Sequence, residues 1–153
     1  MRRIAVLVLI LWGFAASLAC AQSNVSMPWL RGTVRGQQST ALFMRLEAHR
    51  SGDVTLVAAS SSLAKSVEMR EARRSKNGWK SNAVDKLQVP AGSSLELKPG
   101  ASHLLLVGLR RPIRKGEWVP ITLVFETRDT RRYSVEVQAE AMAVGAKSHW
   151  HSH

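Results

Sequence analysis

Three short strand-like runs between residues 95 and 125 constrain the fold most strongly, because turn residues separate them at close spacing. Residues 95–97 alternate apolar and charged side chains and lead into a Pro-Gly pair, which favours a turn. Residues 103–107 read HLLLV, as in a strand covered on both faces. Residues 121–125 alternate again, with one strongly apolar face. The spacing therefore predicts three consecutive strands.

Segments of the same kind occur along the rest of the chain, and none shows a helical period. Residues 27–31 predict an edge strand, since Pro28 is tolerated there. The pair Asn77-Gly78 predicts a hairpin turn. Many short strands with Pro and Gly between them predict an all-β fold, a Greek-key β-sandwich or barrel.

Residues 1–21 predict a cleavable secretory signal peptide. Arg2 and Arg3 precede an apolar run over residues 4–18, and Ala-Cys-Ala follows as a small-x-small cleavage site. The apolar run is short for a bilayer span and no second run follows, so we expect no stable membrane insertion. We expect export to the periplasm, with a mature chain that begins near Gln22.

Lipid attachment at Cys20 is the alternative to soluble export. Leu18-Ala19-Cys20 resembles a lipoprotein cleavage box, but Ser17 stands where such a box has Leu. Soluble export is therefore the preferred interpretation. Cleavage after Ala21 leaves no cysteine, and this excludes disulfides and thiolate metal sites from the mature chain.

The mature chain is long enough for one domain and too short for two. We expect a β domain over residues 22–140 and a flexible tail over residues 141–153. Without Arg2 and Arg3 the chain has 20 basic against 11 acidic side chains, a formal charge of +9. This excess favours acidic protein surfaces and lipid head groups, whereas nucleic acid is not expected outside the cytoplasm.

Several motifs follow one another in an order that carries a resemblance. They are Trp29-Leu-Arg31, ALFMRL at 41–46, LQVPAG at 87–92, ELKPG at 96–100 and VPITLVF at 119–125. Over residues 28 to about 139, this order resembles the periplasmic copper chaperone family called PCu(A)C. The resemblance implies a cupredoxin-like fold, copper as the cargo, and a copper-receiving oxidase subunit or assembly factor as the partner.

Members of that family are understood to hold Cu(I) with two His and two Met, since soft thioethers select Cu(I). The corresponding positions here are Arg70, Ser81, His103 and Leu105, so His103 alone keeps its ligand type. A guanidinium has no lone pair to donate, which excludes Arg70 as a ligand. Met69 is adjacent, but in an extended strand it points to the opposite face.

Three further histidines, His149, His151 and His153, form the remaining candidate ligand cluster. Their period of two places the imidazoles on one side of an extended segment, where they can hold a borderline divalent ion such as Cu(II), Ni(II) or Zn(II). The bland alternatives are a solvated tail and, for His103, an imidazole hydrogen-bonded to a neighbouring carbonyl.

The sequence leaves two functions open. The first is copper handling through the histidine tail with help from His103, and the second is a metal-free interaction module. Trp79 and the surrounding Arg and Lys side chains would form the basic docking surface of that module, whereas Trp29 and Trp118 begin strands and predict core or rim packing. An enzyme is not expected, since the mature chain has no thiol nucleophile, phosphate loop or nucleophile motif.

Overall fold

The computed structural model describes residues 24–147, which form ten β-strands and no helix. The strands are β1 (Val25–Arg31), β2 (Ser39–Glu47), β3 (Val54–Ser60), β4 (Ala64–Ser75), β5 (Gly78–Val84), β6 (Leu87–Val89), β7 (Ser94–Leu97), β8 (His103–Leu109), β9 (Trp118–Thr127) and β10 (Arg132–Met142). The predicted all-β class is confirmed. No helix that could cross a membrane occurs within the described range.

The strands join in a single sheet with the order β5-β4-β8-β2-β1-β10-β9-β3-β6, and β7 pairs with the second half of β2. Only the β1–β10 pair is parallel among the pairs described. Strands distant in sequence are therefore neighbours in space, as in a Greek-key barrel. This order brings β4, β5 and β8 together, and these three strands carry the candidate site.

One face of the sheet, the inner face, encloses the main core. Side chains from β2, β3, β8 and β9 are fully buried there, among them Ile121, Leu123 and Phe125 of the predicted third strand. On β8, Leu104 and Leu106 are buried, but Leu105 and Val107 are only half-buried. The prediction that this run is covered on both faces is therefore wrong for its outer side.

The opposite, outer face carries a second, smaller cluster. Trp29, Phe43 and Met142 are buried together, and the ring centroids of Trp29 and Phe43 are 4.5 Å apart. Ala41 and Ala146 pack against them. Burial of two aromatic rings on the outer face requires a cover, and the chain after β10 provides part of it.

The prediction that residues 27–31 form an edge strand is wrong, because β1 lies between β2 and β10. Its pairing with β2 shifts register between Ser26 and Trp29, and Met27 has a φ of 49°. Pro28 lies within this irregularity. A bulge accommodates a residue without a backbone donor inside an interior strand, which explains how proline is tolerated there.

β10 extends to Met142, two residues into the segment expected to be a tail. Ala141 is completely buried, and its backbone N–H and C=O both bond to the turn before β9. Beyond the strand, Arg31 donates from Nε to the carbonyl of Ala146 at 2.8 Å. The chain is thus held to the outer face as far as Ala146.

Candidate functional site

Neighbouring strands bring the family's four ligand positions together on the outer face. Arg70 of β4 opposes His103 of β8, while Ala72 opposes Ser81 of β5. Directly paired residues of an antiparallel ladder share a face, and residues two apart on a strand do so as well. Leu105 opposes Glu68 one step along the same face. The structure therefore places Arg70 between Ser81 and His103.

The Arg70 guanidinium fills this position with three hydrogen bonds. Its Nε donates to Ser81 Oγ at 3.2 Å, and its Nη2 donates to the Ser81 carbonyl at 3.1 Å. Its Nη1 donates to Glu68 Oε2 at 3.2 Å and forms an ion pair with that carboxylate. The side chain is only 27% exposed. The Arg70 guanidinium thus places a fixed positive charge among the residues that would have to offer free ligand atoms to a copper ion.

The His103 ring is held in place by a hydrogen bond at its Nδ1 edge. Its Nδ1 lies 2.9 Å from the Ala101 carbonyl oxygen. Because a carbonyl only accepts, Nδ1 carries the proton of this bond, and a neutral ring then has its lone pair on Nε2. The contact fits the alternative in which His103 is only hydrogen-bonded to a neighbouring carbonyl. It is also the orientation that backbone carbonyls impose on metal-binding imidazoles, so Nε2 remains chemically suited to ligation.

Two arginines lie on the strands and ring contacts around His103, and their positive charge opposes a bound cation. Arg70 lies directly across the ladder. Phe43 lies next to the imidazole, with ring centroids 6.2 Å apart, and Arg31 Cζ lies 5.3 Å from the centroid of Phe43. Nearby positive charge lowers the affinity of a site for a metal ion. A tight site at His103 alone is therefore disfavoured.

The described methionines do not replace the missing thioethers. Met69 is buried in the main core, as its position on the strand predicts, and Met44 lies in the same core. Met142 is buried in the outer cluster with Trp29 and Phe43, and Met27 is exposed in the irregular part of β1. Within residues 24–147, no group of three or more His, Cys, Asp or Glu could hold a metal ion. The candidate ligands His149, His151 and His153, like Cys20, lie outside the described residues.

The predicted hairpin is confirmed, with Lys76 and Asn77 as turn residues and Gly78 at a φ of 108°. Trp79 is 69% exposed on it. Of the other two tryptophans considered, Trp29 is buried as predicted, but Trp118 is 63% exposed. The expectation of core or rim packing at Trp118 is thus wrong, because it begins β9 on the outer face, where no described side-chain cluster covers it.

The fold and the ligand register define the class of this domain, which is that of the cupredoxin-like PCuAC domains. The apo PCuAC domain of PmoF2 is similar with a TM-score of 0.65 and 25% identity, covering 80% of this chain and 91% of that one. The structure of Cu(I)-bound DR1885 from Deinococcus radiodurans is similar with a TM-score of 0.56 and 30% identity, covering 85% of each chain. The copper-bound PCuAC domain from PmoF2 gives a TM-score of 0.64 at 25% identity, covering 78% of this chain and 91% of that one.

The chain belongs to the LpqE-like family, described as "Putative lipoprotein LpqE-like", which its residues 24–138 match. A relative from Leifsonia xyli subsp. xyli, described as "Putative lipoprotein Lxx21020", is 35% identical over 117 residues. That match covers 75% of this chain and 69% of the relative. The resemblance to PCu(A)C copper chaperones drawn from the sequence is confirmed, in a family whose members carry a lipoprotein description.

Proposed function

We propose that this protein is an exported copper-handling relative of the PCuAC chaperones, in which the C-terminal histidines capture copper. His149, His151 and His153 supply three imidazoles, and Nε2 of His103 is the fourth candidate ligand. Copper bound by similar domains in other proteins supports copper as the cargo. Transfer to an oxidase subunit or assembly factor is the corresponding role.

The observation that carries this proposal is the position of Ala146. It packs against the cluster that includes Phe43, and Phe43 in turn lies beside His103. His149 follows Ala146 by three residues, an extended span of about 10 Å. We therefore expect the histidine tail to leave from the face that carries His103.

Binding of this kind is weaker than in a complete His and Met site. Imidazoles without thioethers lose the softness that selects Cu(I). Arg31 and Arg70 add repulsion for any cation beside His103. A loosely held ion exchanges readily, and rapid exchange suits a carrier better than a storage site.

A copper titration tests the proposal on three forms of the exported protein: the full chain, a chain truncated after Lys147, and the full chain with His103→Ala. We expect truncation to abolish most of the binding and His103→Ala to weaken it about tenfold or less. Equal, negligible binding by the full and truncated chains would exclude copper handling through the tail.

Attachment to the membrane through Cys20 is part of the proposed function. The lipoprotein description of the family supports this alternative over soluble release at Gln22. The mature chain would then begin with a lipid-modified cysteine. Labelling with radioactive palmitate tests it, because Cys20→Ser should eliminate the label. An unlabelled wild-type protein would restore soluble export as the preferred interpretation.

A metal-free interaction module is the second candidate, and the Arg70 contacts favour it. Since the guanidinium is satisfied by Ser81 and Glu68, the former ligand region is stable without metal. The basic surface around Trp79 would then dock an acidic protein. Replacement of Arg70, Arg73 and Arg74 by Glu should eliminate such a partner from a pull-down, and a partner retained by this variant would argue against the module.

A further inference from the structure

The N-terminal end of the barrel is defined by the place where the chain enters β1. The Asn24 carbonyl accepts a hydrogen bond from Glu47 N at 2.8 Å, and Asn24 Nδ2 donates to Tyr133 Oη at 2.6 Å. Val25 opposes Leu46 near the end of β2. The chain is therefore fixed in place from Asn24 onward, at the end of the barrel where β2 finishes.

The β4–β5 hairpin extends to the same end. β4 pairs with β8 only as far as Arg70, and its remaining residues to Ser75 pair with β5 alone. Five residues of strand span about 17 Å. Since Arg70 lies level with His103 and Phe43, this distance brings the tip of the hairpin level with the end of β2 at Glu47.

The chemistry of the hairpin fits a lipid surface. Beyond Arg70, the exposed cations of the hairpin outnumber its one carboxylate, Glu71, which Arg73 contacts at 2.8 Å; they are Arg73, Arg74, Lys76 and Lys80. Trp79 is 69% exposed beside Arg74. Tryptophan is favoured at the boundary between head groups and acyl chains, and basic residues near an anionic membrane are attracted to its surface.

Charge alone does not select this end of the barrel. The loops at the other end also present exposed cations, among them Arg35, Arg110 and Lys115, and an exposed Trp118. The short segment between Cys20 and β1, here called the tether, distinguishes the two ends. From Cys20 to Asn24 the chain is four residues long and spans at most about 14 Å. A lipid on Cys20 therefore keeps the N-terminal end near the bilayer.

We infer that the N-terminal end of the barrel lies on the anionic membrane surface, with Trp79 at the hairpin tip seated among the head groups. This inference rests on the lipid attachment proposed above. A soluble acidic protein is the other occupant of such a surface, but the short tether supplies lipid at this position. The far ends of β1 and β10, from which the C-terminal segment leaves, then point away from the membrane.

The single cysteine of the chain allows a direct test. The chain Cys20–His153 is coupled through Cys20 to a maleimide lipid in phosphatidylglycerol vesicles, and tryptophan quenching by brominated acyl chains is measured. We expect Trp79→Phe to remove most of the quenching. The matched control Trp118→Phe, which removes a tryptophan of similar exposure, should retain it. Undiminished quenching in Trp79→Phe would overturn the inference.

A charge-reversal pair completes the test. R73E/R74E/K76E should lower the quenching severalfold, as should replacement of phosphatidylglycerol by phosphatidylcholine, whereas R35E/R110E/K115E should leave it unchanged. Quenching that survives R73E/R74E/K76E would contradict the inference, and loss of an acidic partner protein from the same variant would assign the hairpin to that partner. Because coupling replaces biological lipidation, a negative palmitate result and a negative vesicle result remain distinguishable.

Discussion

Arg70 donates hydrogen bonds to Ser81 and Glu68, and these contacts define its role at the scale of single residues. Arg73 is a matched control, because it contacts only Glu71 in the described hydrogen bonds and is 73% exposed, against 27% for Arg70. We expect Arg70→Ala to lower the free energy of unfolding by about 1–2 kcal/mol. Arg73→Ala should change it by less than about 0.5 kcal/mol. Urea denaturation measures both, and equal losses would contradict the assigned role.

The positions that correspond to the family's four copper ligands supply a second prediction at this scale. The triple variant R70H/S81M/L105M, in a chain ending at Lys147, removes the built-in cation and supplies an imidazole and two thioethers beside His103. We expect it to gain one tight Cu(I), measured by competition with a chromophoric chelator. A folded variant with no gain would show that these positions do not form a ligand cage.

The surroundings of individual side chains could be predicted from the sequence where they depend on strand alternation or on neighbouring residues alone. Met69 in the core and the His103 contact with a neighbouring carbonyl are confirmed. The partners of Arg70 were not foreseen, since they depend on the register across the hairpin. The exposure of Trp118 also depends on which strands cover the outer face, and a local pattern does not contain that information.

At the scale of elements, β1 shows where the local pattern fails. Pro28 predicts an edge because an interior strand needs backbone donors on both sides. The bulge between Ser26 and Trp29 removes that requirement at Pro28, and the parallel pairing with β10 begins after it, at Trp29. The strands over residues 95–125, by contrast, are confirmed, since their turns and alternation are both local.

The junction that follows β1 supplies a stability prediction. Gly32 donates to the Met142 carbonyl, and a Cβ at Gly32 would lie 2.8 Å from that oxygen and 3.2 Å from the Ile113 carbonyl oxygen. Both are backbone atoms, so Gly32→Ala should cost about 1–3 kcal/mol. Gly52→Ala, with open space around the added methyl, should change stability by less than about 0.5 kcal/mol. Thermal unfolding distinguishes the two variants. Equal stability would contradict the close approach of the Met142 and Ile113 carbonyl oxygens to Gly32.

At the scale of the whole molecule, charge was visible in the sequence but its distribution was not. The formal +9 of the mature chain predicts acidic partners, and this stays a prediction. Only the fold shows that both ends of the barrel carry exposed cations and that β1 begins at one of them. The region of the family's ligand positions has the same character, because its one retained imidazole, His103, is plain from the sequence and the packing of Ala146 on the same face is not.

Elemental analysis of untagged protein from copper-fed cells tests the central claim most directly, on the full chain and on a version that ends at Lys147. The claim is that copper is held by the histidine tail and not by a cage around His103. We predict less than one equivalent of copper in the full chain and almost none in the shortened version. One full equivalent of copper retained without the tail would contradict the claim.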